Sequence, residues 1–361
     1  MAHFDWPKTL QKWRDRCWKP EGGWPYDLWR REPLQKFFRE HGYTLWTNLN
    51  LRSGLGDTHL DHVELYPPND EPRRPDGYTF VSNYESASDI SITKPNFCHL
   101  NNIHCPARTV HNQDVLIRLV SIDGDVNGDE HYEAIRRLSA GQSPFRGDNY
   151  ALPLLNELEF NGLRFVVFTM GGYISWFYTG VKFCHDNLIA HLDLDSDNTL
   201  FNYLGGRMVP DNTPTVGVTG PFRSHFPIRY YINGFETAVC FDKDSDLASR
   251  KITGPPDVRV GRTEGEYARE CAPEMLTGEP YCPFKADVWY LGRMLHIHMD
   301  TEVKGFVEKY LKVFHEDFSF DDVFSKFFAQ DAIQNESIMQ VFEEHLGTIN
   351  EANVVFPGAT L

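Results

Sequence analysis

Apolar residues recur along the chain with two kinds of spacing, one typical of amphipathic helices and the other of strands. Near the amino terminus, helical spacing predicts two short helices at about 8–16 and 31–41. Two apolar runs, 152–160 and 163–170, flank Asn161-Gly162, a dipeptide typical of a tight hairpin turn. Helical spacing also marks three late segments, at about 301–315, 319–329 and 335–347. The pattern predicts helices together with hairpin-joined strands.

The stretch 187–201 differs from its surroundings because alternating carboxylates lie between two apolar runs. Asp193, Asp195 and Asp197 would share one face of a strand and repel one another there. The stretch is therefore predicted to be a loop, and a helix at about 173–189 is predicted to lead into it. This acidic loop is the first candidate site.

The acidic loop contains His191, Asp193, Leu194 and Asn198, which match in register the H-R-D-L-x-x-x-N catalytic loop of protein kinases. Further matches follow the order found in kinases. They are Val115-Leu116-Ile117-Arg118 for V-A-I-K, Glu133 in a predicted helix, Phe168 to Gly172 for the hinge between lobes, Gly234-Phe235-Glu236 for D-F-G, Ala272-Pro273-Glu274 for A-P-E and Asp287 to Gly292 for D-x-W-x-L-G. Because ordered motifs are more specific than any single one, the chain resembles the protein kinases.

Four stretches, 42–46, 189–203, 230–241 and 281–289, also resemble a large group of kinase-like proteins from mushroom-forming fungi, in which D-F-E often stands for D-F-G. The resemblance implies an α+β fold with two lobes. A small β-rich N-lobe with one helix would occupy 47–170, and a larger helical C-lobe would occupy 171–361. Residues 1–46 hold six of the eight tryptophans and would form a Trp-rich helical extension.

The resemblance assigns chemistry to several loop residues. In kinases the loop aspartate accepts the proton of the substrate hydroxyl and the loop asparagine holds a magnesium ion. Asp193 and Asn198 would take these roles, and Arg118 would assist by holding phosphate. Asp195 is a second candidate metal ligand, because carboxylate oxygens suit Mg²⁺ and Mn²⁺. The alternative is that the acidic loop is only a solvated, hydrogen-bonded turn.

The cofactor that the resemblance implies is ATP with Mg²⁺. Arg118 stands at the position of the small-lobe lysine, and Glu133, in a predicted helix at 130–138, is its predicted partner. The hinge backbone near Phe168 and Met170 would meet the adenine. The alternative for 130–138 is an ordinary surface helix.

Two matched residues have structural roles in kinases. The resemblance implies that His191 supports the loop by hydrogen bonds and that Asp287 hydrogen-bonds the loop backbone. His185, His296 and His298 carry no matched role, and they are predicted to be packing or surface residues.

Three positions depart from the kinase pattern in ways that weaken ATP binding. Gly234 replaces the magnesium-binding aspartate, Asp195 replaces a lysine of the catalytic loop, and Arg118 replaces the small-lobe lysine. The sequence therefore favours a pseudokinase, a binding or regulatory module in signalling with weak or no phosphotransfer. The alternative is an atypical ATP- and metal-dependent kinase of Ser/Thr type, or an enzyme of other chemistry, with Asp193 as base. If the missing carboxylate limits binding, Gly234→Asp should strengthen it.

The composition of the chain limits the classes of molecule that it is expected to bind. The net charge is −16 and no basic patch occurs, which argues against nucleic-acid binding. Seven cysteines without a CxxC pair, and no apolar run of membrane-spanning length, predict a cytoplasmic or nuclear protein away from membranes. A protein partner could dock on the aromatic segment 1–46 or on the C-lobe, although the extension could instead pack its aromatics on the main domain.

Overall fold

The chain forms a mixed α+β fold around one five-stranded sheet. The computed structural model describes residues 5–14, 28–47, 63–69, 71, 73–81, 97–99, 102–173, 180–204, 227, 229–256, 260 and 270–298. Its helices are α1 (Leu10–Arg14), α2 (Glu32–Glu40), α3 (Asp129–Ser139), α4 (Val181–Asp186) and α5 (Pro283–His298). Its strands are β1 (Tyr43–Leu45), β2 (Val63–Leu65), β3 (Phe80–Val81), β4 (Phe97–His99), β5 (His104–Thr109), β6 (Asp114–Ile122), β7 (Leu154–Phe160), β8 (Leu163–Thr169), β9 (Gly172–Tyr173), β10 (Ile189–Ala190), β11 (Thr199–Phe201), β12 (Tyr203–Leu204), β13 (Tyr230–Ile232) and β14 (Val239–Cys240).

The main sheet is antiparallel, with the strand order β1-β5-β6-β8-β7. The apolar run from Asp114 to Val120 predicts a strand, and it lies in the central strand β6, all nine residues of which are buried. Strands β7 and β8 form the predicted hairpin. Its turn residues Asn161 and Gly162 have φ angles of 52° and 77°. A type I′ turn requires positive φ at both positions, which explains why this dipeptide joins these strands.

The Trp-rich extension shares a core with one face of the sheet. Helices α1 and α2 confirm the two helices predicted at about 8–16 and 31–41. Trp13 and Trp29 are buried, with ring centroids 6.5 and 5.4 Å from that of Phe165 on β8. The alternative in which the extension packs on the main domain is therefore confirmed for these two tryptophans, which are not available as an exposed docking surface.

Two further hydrophobic clusters position the candidate loop. One joins Val120 and Val166 of the sheet to Ile135 of α3, Leu200 of β11 and Tyr231 of β13. The other joins α3 to α4, β10, β14 and α5. The acidic loop connects β10 to β11, so both of its ends are held by buried strands.

The helix predicted at about 173–189 is wrong at its start. Gly172–Tyr173 form β9, which pairs with β11, and α4 spans Val181–Asp186, while positions 174–179 of the predicted helix lie outside the described residues. An added Cβ at Gly172 would lie 2.6 Å from a ring carbon of Phe201 on β11 and 2.5 Å from the carbonyl oxygen of Tyr203 on β12, so this close approach requires glycine. The helical spacing of the apolar residues gave no sign of this backbone contact.

Several expectations concern other parts of the chain. The helices predicted at about 301–315, 319–329 and 335–347 lie outside the described residues. Strand β1, which begins at Tyr43 inside the predicted extension 1–46, pairs with β5 of the main sheet. Across the helices that the structure describes, none combines the length and apolar character needed to cross a membrane.

Candidate functional site

Asp287 on α5 fixes the start of the acidic loop. Its fully buried carboxylate accepts hydrogen bonds from the backbone N–H of His191, at 2.7 Å, and of Leu192, at 2.6 Å. These bonds confirm the structural role predicted for Asp287. Leu192 has a φ angle of 62°, which costs a residue with a side chain about 1–2 kcal/mol. The carboxylate therefore helps to hold a loop conformation that the chain would not adopt alone.

His185 of α4 joins the same carboxylate, with Nε2 2.9 Å from Asp287 Oδ2. His185 also packs on the ring of Phe284, with centroids 5.0 Å apart, so the packing role predicted for it is accompanied by a polar contact with Asp287. Asp287 thus connects helices α4 and α5 to the loop. Its three polar neighbours also offset the free-energy cost of removing a carboxylate from water.

His191 supports the loop as predicted. Its Nδ1 accepts a hydrogen bond from the Asp193 backbone N–H at 3.2 Å, and Nε2 lies 2.9 Å from the Asn233 carbonyl oxygen. A neutral imidazole with its proton on Nε2 satisfies both contacts. The ring also packs on Phe235, with centroids 4.7 Å apart. His191 therefore links the loop to the turn that follows Asn233.

Asp193 and Asn198, two of the predicted site residues, are hydrogen-bonded to each other. The Asn198 side-chain amide donates to the Asp193 carboxylate at 2.9 Å and to the Asp193 carbonyl at 2.8 Å. Both residues are half-buried. The two bonds hold the Asp193 carboxylate in a defined orientation at the loop surface.

Gly234 lies directly against Asn198. A Cβ added at Gly234 would be 2.1 Å from Asn198 Oδ1 and 2.5 Å from Asn198 Cγ. The φ angle of Gly234 is 81°, in the left-handed region that favours glycine. A side chain at this position would have to displace Asn198 from its bonds with Asp193, so Gly234 is part of the packing of the loop.

Asp195, the second candidate metal ligand, is engaged by a cation. Arg293 of α5 places Nη1 3.7 Å from its carboxylate and also bonds Glu270 at 2.8 Å. The positive charge of Arg293 on α5 thus compensates the negative charge that Asp195 adds to the loop. Among the residues that the structure describes, no group of three or more His, Cys, Asp or Glu side chains is placed to hold a metal ion.

The pairing predicted between Arg118 and Glu133 is wrong. Glu133 bonds Arg137, one turn along its own helix, at 2.8 Å. Arg118 instead bonds Glu236, the residue at the glycine position of the D-F-G match. Arg14, at the end of α1, lies 3.7 Å from the other oxygen of the same carboxylate. One carboxylate therefore lies between two guanidinium groups from distant parts of the chain.

The helix α3 turns a histidine, rather than Glu133, toward this group. His131 is buried, and its pKa lies well below the ordinary value because burial disfavours the charged ring and Arg118 repels it. Glu236 acts in the opposite direction, while Arg14 and His104 lower the pKa further. His131 is therefore neutral at pH 7.

The two predicted hinge residues lie in different hydrophobic clusters. Phe168 is buried with Leu200 and Tyr231, whereas Met170 packs against the cluster of the Trp-rich extension. Thr169, between them, is fully buried and hydrogen-bonds both Thr79, at 2.8 Å, and Asp76. The segment that contains Asp76 and Thr79 thus packs on Thr169, between the two residues of the predicted hinge. The backbone contact of Phe168 and Met170 with adenine stays a prediction.

Sequence reasoning missed three residues of the site. Glu236 was noted only as a departure from D-F-G, and Arg14 and His131 received no role. The one sequence feature that could have pointed to these residues is the negative charge of Glu236. A buried carboxylate needs a cation nearby, so this charge predicts an unidentified Lys or Arg partner. Which cation it finds depends on contacts across more than a hundred positions of sequence.

Replacing Asp287 with asparagine tests the clamp on the loop. Asp287→Asn places an N–H group where a backbone N–H now donates, so we expect the free energy of unfolding to fall by about 2–3 kcal/mol. Urea unfolding followed by circular dichroism measures this loss. The matched control, Asp186→Asn, removes an exposed carboxylate that pairs with Lys182 and should change stability by less than about 0.5 kcal/mol. Equal losses in both variants would contradict the clamp.

His131 should make the protein sensitive to mild acid. Its pKa is lower in the folded chain than in the unfolded chain, so the unfolded chain takes up the proton first as the pH falls. We expect stability to decrease as the pH drops below about 6.5, the ordinary histidine value. His131→Gln should flatten the dependence of the unfolding free energy between pH 7 and 5.5, and His111→Gln, at an exposed position, should not. An unchanged slope in His131→Gln would refute this assignment.

Neither the models of known protein families nor the curated proteins contain a match to this chain. The chemistry of the site is therefore inferred from its own residues, foremost Gly234, Asn198 and Glu236.

Proposed function

We propose that the chain is a protein-kinase-like protein with two lobes that acts as a binding or regulatory module rather than as an ATP-dependent phosphotransferase. The central strand with Arg118, the helix α3 and the loop clamped by Asp287 support the kinase-like arrangement. Ligand-binding loops on a rigid scaffold are typical places for function. The proposed module would receive a protein partner on the C-lobe, in the cytoplasm or nucleus.

The observation that carries this proposal is the contact between Gly234 and Asn198. In kinases the residue at the position of Gly234 is an aspartate that holds magnesium at the β- and γ-phosphates. Here the Asn198 side chain fills the space next to the Gly234 Cα, and no carboxylate could be attached there without a clash. Because phosphoryl transfer depends almost entirely on metal and positioning contacts, this loss bears on catalysis directly.

The residues present do not fit a magnesium triphosphate. Arg118, at the place of the phosphate-holding lysine, is already bonded to Glu236. Asp195, at the place of a loop lysine, brings a negative charge that is engaged by Arg293. A triphosphate would meet carboxylates where a kinase offers a lysine and a metal, and like charges in a partly desolvated site repel strongly.

The orientation of Asp193 favours a second candidate function. Its carboxylate is half-buried and held by the Asn198 amide at 2.9 Å, as a base at a reacting centre needs to be. An enzyme with this loop would use Asp193 to accept a hydroxyl proton, either as an atypical kinase of Ser/Thr type or in other chemistry. The packing at Gly234 makes this the weaker candidate.

A thermal-shift titration tests the proposed function. A ligand that binds only the folded chain raises the melting temperature by mass action. We expect no rise with millimolar ATP in the presence of Mg²⁺ or Mn²⁺. A metal-dependent rise that Asp193→Ala or Asn198→Ala abolishes, together with turnover of ATP, would favour the enzyme instead.

Restoring the missing carboxylate gives a sharper test of the packing at Gly234. The expectation from sequence was that Gly234→Asp strengthens nucleotide binding. The clash with Asn198 and the positive φ now predict that Gly234→Asp gains no ATP binding and loses about 1–3 kcal/mol of unfolding free energy. Calorimetry and urea unfolding measure the two effects.

The double variant Asn198→Ala with Gly234→Asp is the control for this clash. Removing the Asn198 side chain opens the space that the new side chain needs. We therefore expect the double variant to be more stable than the sum of the two single changes by at least about 0.5 kcal/mol. Additive losses would show that the two side chains do not compete, and would remove the main support for the proposal.

A further inference from the structure

Glu236 is held by two arginines that the chain brings from opposite directions. Arg118 comes from the central strand β6 and Arg14 from the end of α1, and their side chains are 5% and 10% exposed. The Glu236 side chain between them is 12% exposed. Each carboxylate oxygen faces a different guanidinium group, Oε1 toward Arg118 and Oε2 toward Arg14.

The contact with Arg14 leaves capacity for another acceptor. Arg14 Nε is 3.7 Å from the carboxylate, which is an ion pair without a hydrogen bond. Within the described part of the chain this buried Nε–H has no hydrogen-bond acceptor. A buried guanidinium donor without an acceptor is costly, and the planar donor fork of arginine matches phosphate oxygens well. A larger anion than a carboxylate could satisfy both arginines together.

The backbone that carries Glu236 is anchored by its neighbours rather than by the Glu236 side chain. It stands on a short turn, Phe235–Thr237, whose two outer side chains are buried. The Ala238 backbone N–H closes the turn by donating to the Phe235 carbonyl at 3.2 Å. Rotation of the Glu236 side chain would withdraw its carboxylate from both guanidinium groups, while the anchored turn keeps its place and Arg14 Nη1 still donates to the Val260 carbonyl at 3.1 Å.

We propose that Arg14 and Arg118 form an anion site for a diphosphate group and that Glu236 is its intramolecular occupant. The inference rests on the proposed function, which it deepens by naming an anionic ligand that needs no metal ion. Arg14 belongs to the Trp-rich extension, so the site depends on a segment outside the kinase-like motifs. A ligand that displaces Glu236 would change the contacts of two segments at once, the turn that follows Gly234 and the end of α1 in the extension.

Neutralising Glu236 should open the site. In the presence of a metal chelator, we expect inorganic pyrophosphate to bind Glu236→Gln at least tenfold more tightly than the unaltered chain, as measured by calorimetry and thermal shift. The double variant with Arg14→Gln should lose this gain. The matched control Glu133→Gln, at a half-buried glutamate that also pairs with arginine, should bind no better than the unaltered chain.

The variant Glu236→Asp covers the case in which Glu236→Gln does not fold. It keeps the charge but withdraws it by one methylene from both arginines, so its affinity for pyrophosphate should lie above that of the unaltered chain. The absence of a gain in the folded Glu236 variants, or a gain that survives Arg14→Gln, would overturn the proposal.

Two further measurements are needed. One identifies the kind of anion that the site prefers, and the other distinguishes this inference from the proposed function. ADP under the same chelated conditions distinguishes a nucleoside diphosphate, which would bind more tightly than pyrophosphate, from a site for the diphosphate group alone. Both results support the anion site. A metal-dependent effect of ATP on the unaltered chain would instead contradict the proposed function, and it leaves the chelated pyrophosphate result to decide this inference separately.

Discussion

The buried carboxylate of Asp287 is the contact on which the candidate site depends. It accepts two backbone N–H groups of the acidic loop and lies within hydrogen-bond distance of His185. A loop with a positive φ at Leu192 and several carboxylates has little reason to be ordered by itself. The helix α5 supplies that order from a hundred positions away in sequence. Asp193, Asn198 and Gly234 take their places relative to this fixed start.

Around this clamp, each charge that departs from the kinase pattern has acquired a compensating contact. Asp195 faces Arg293, and Glu236 lies between Arg118 and Arg14. Buried or half-buried charges are stable only when they are paired. A substitution at one of these positions would therefore leave the charge of its partner uncompensated. These charged side chains and their partners therefore form two compensated groups around the loop rather than isolated charges.

The Trp-rich extension takes part in both the core and the site. Its residues Leu10 and Trp13 are buried with the main sheet, while Arg14, one position further, reaches Glu236. The Leu10 backbone N–H also donates to Asp125 at 2.7 Å, at the start of the segment that leads to α3. The packing energy of large aromatic side chains therefore fixes the position of a cation in the site.

The sequence by itself determined the mixed α+β content, the hairpin at Asn161-Gly162 and the central strand, and the resemblance to kinase motifs implied the structural role of Asp287. These features follow from local spacing, turn chemistry or motif order, which are properties of nearby residues. The tertiary structure alone decided that Arg118 pairs with Glu236 and that Gly234 packs on Asn198. Ion pairs and close contacts between distant segments depend on where the chain returns in space, and residue spacing carries no record of that.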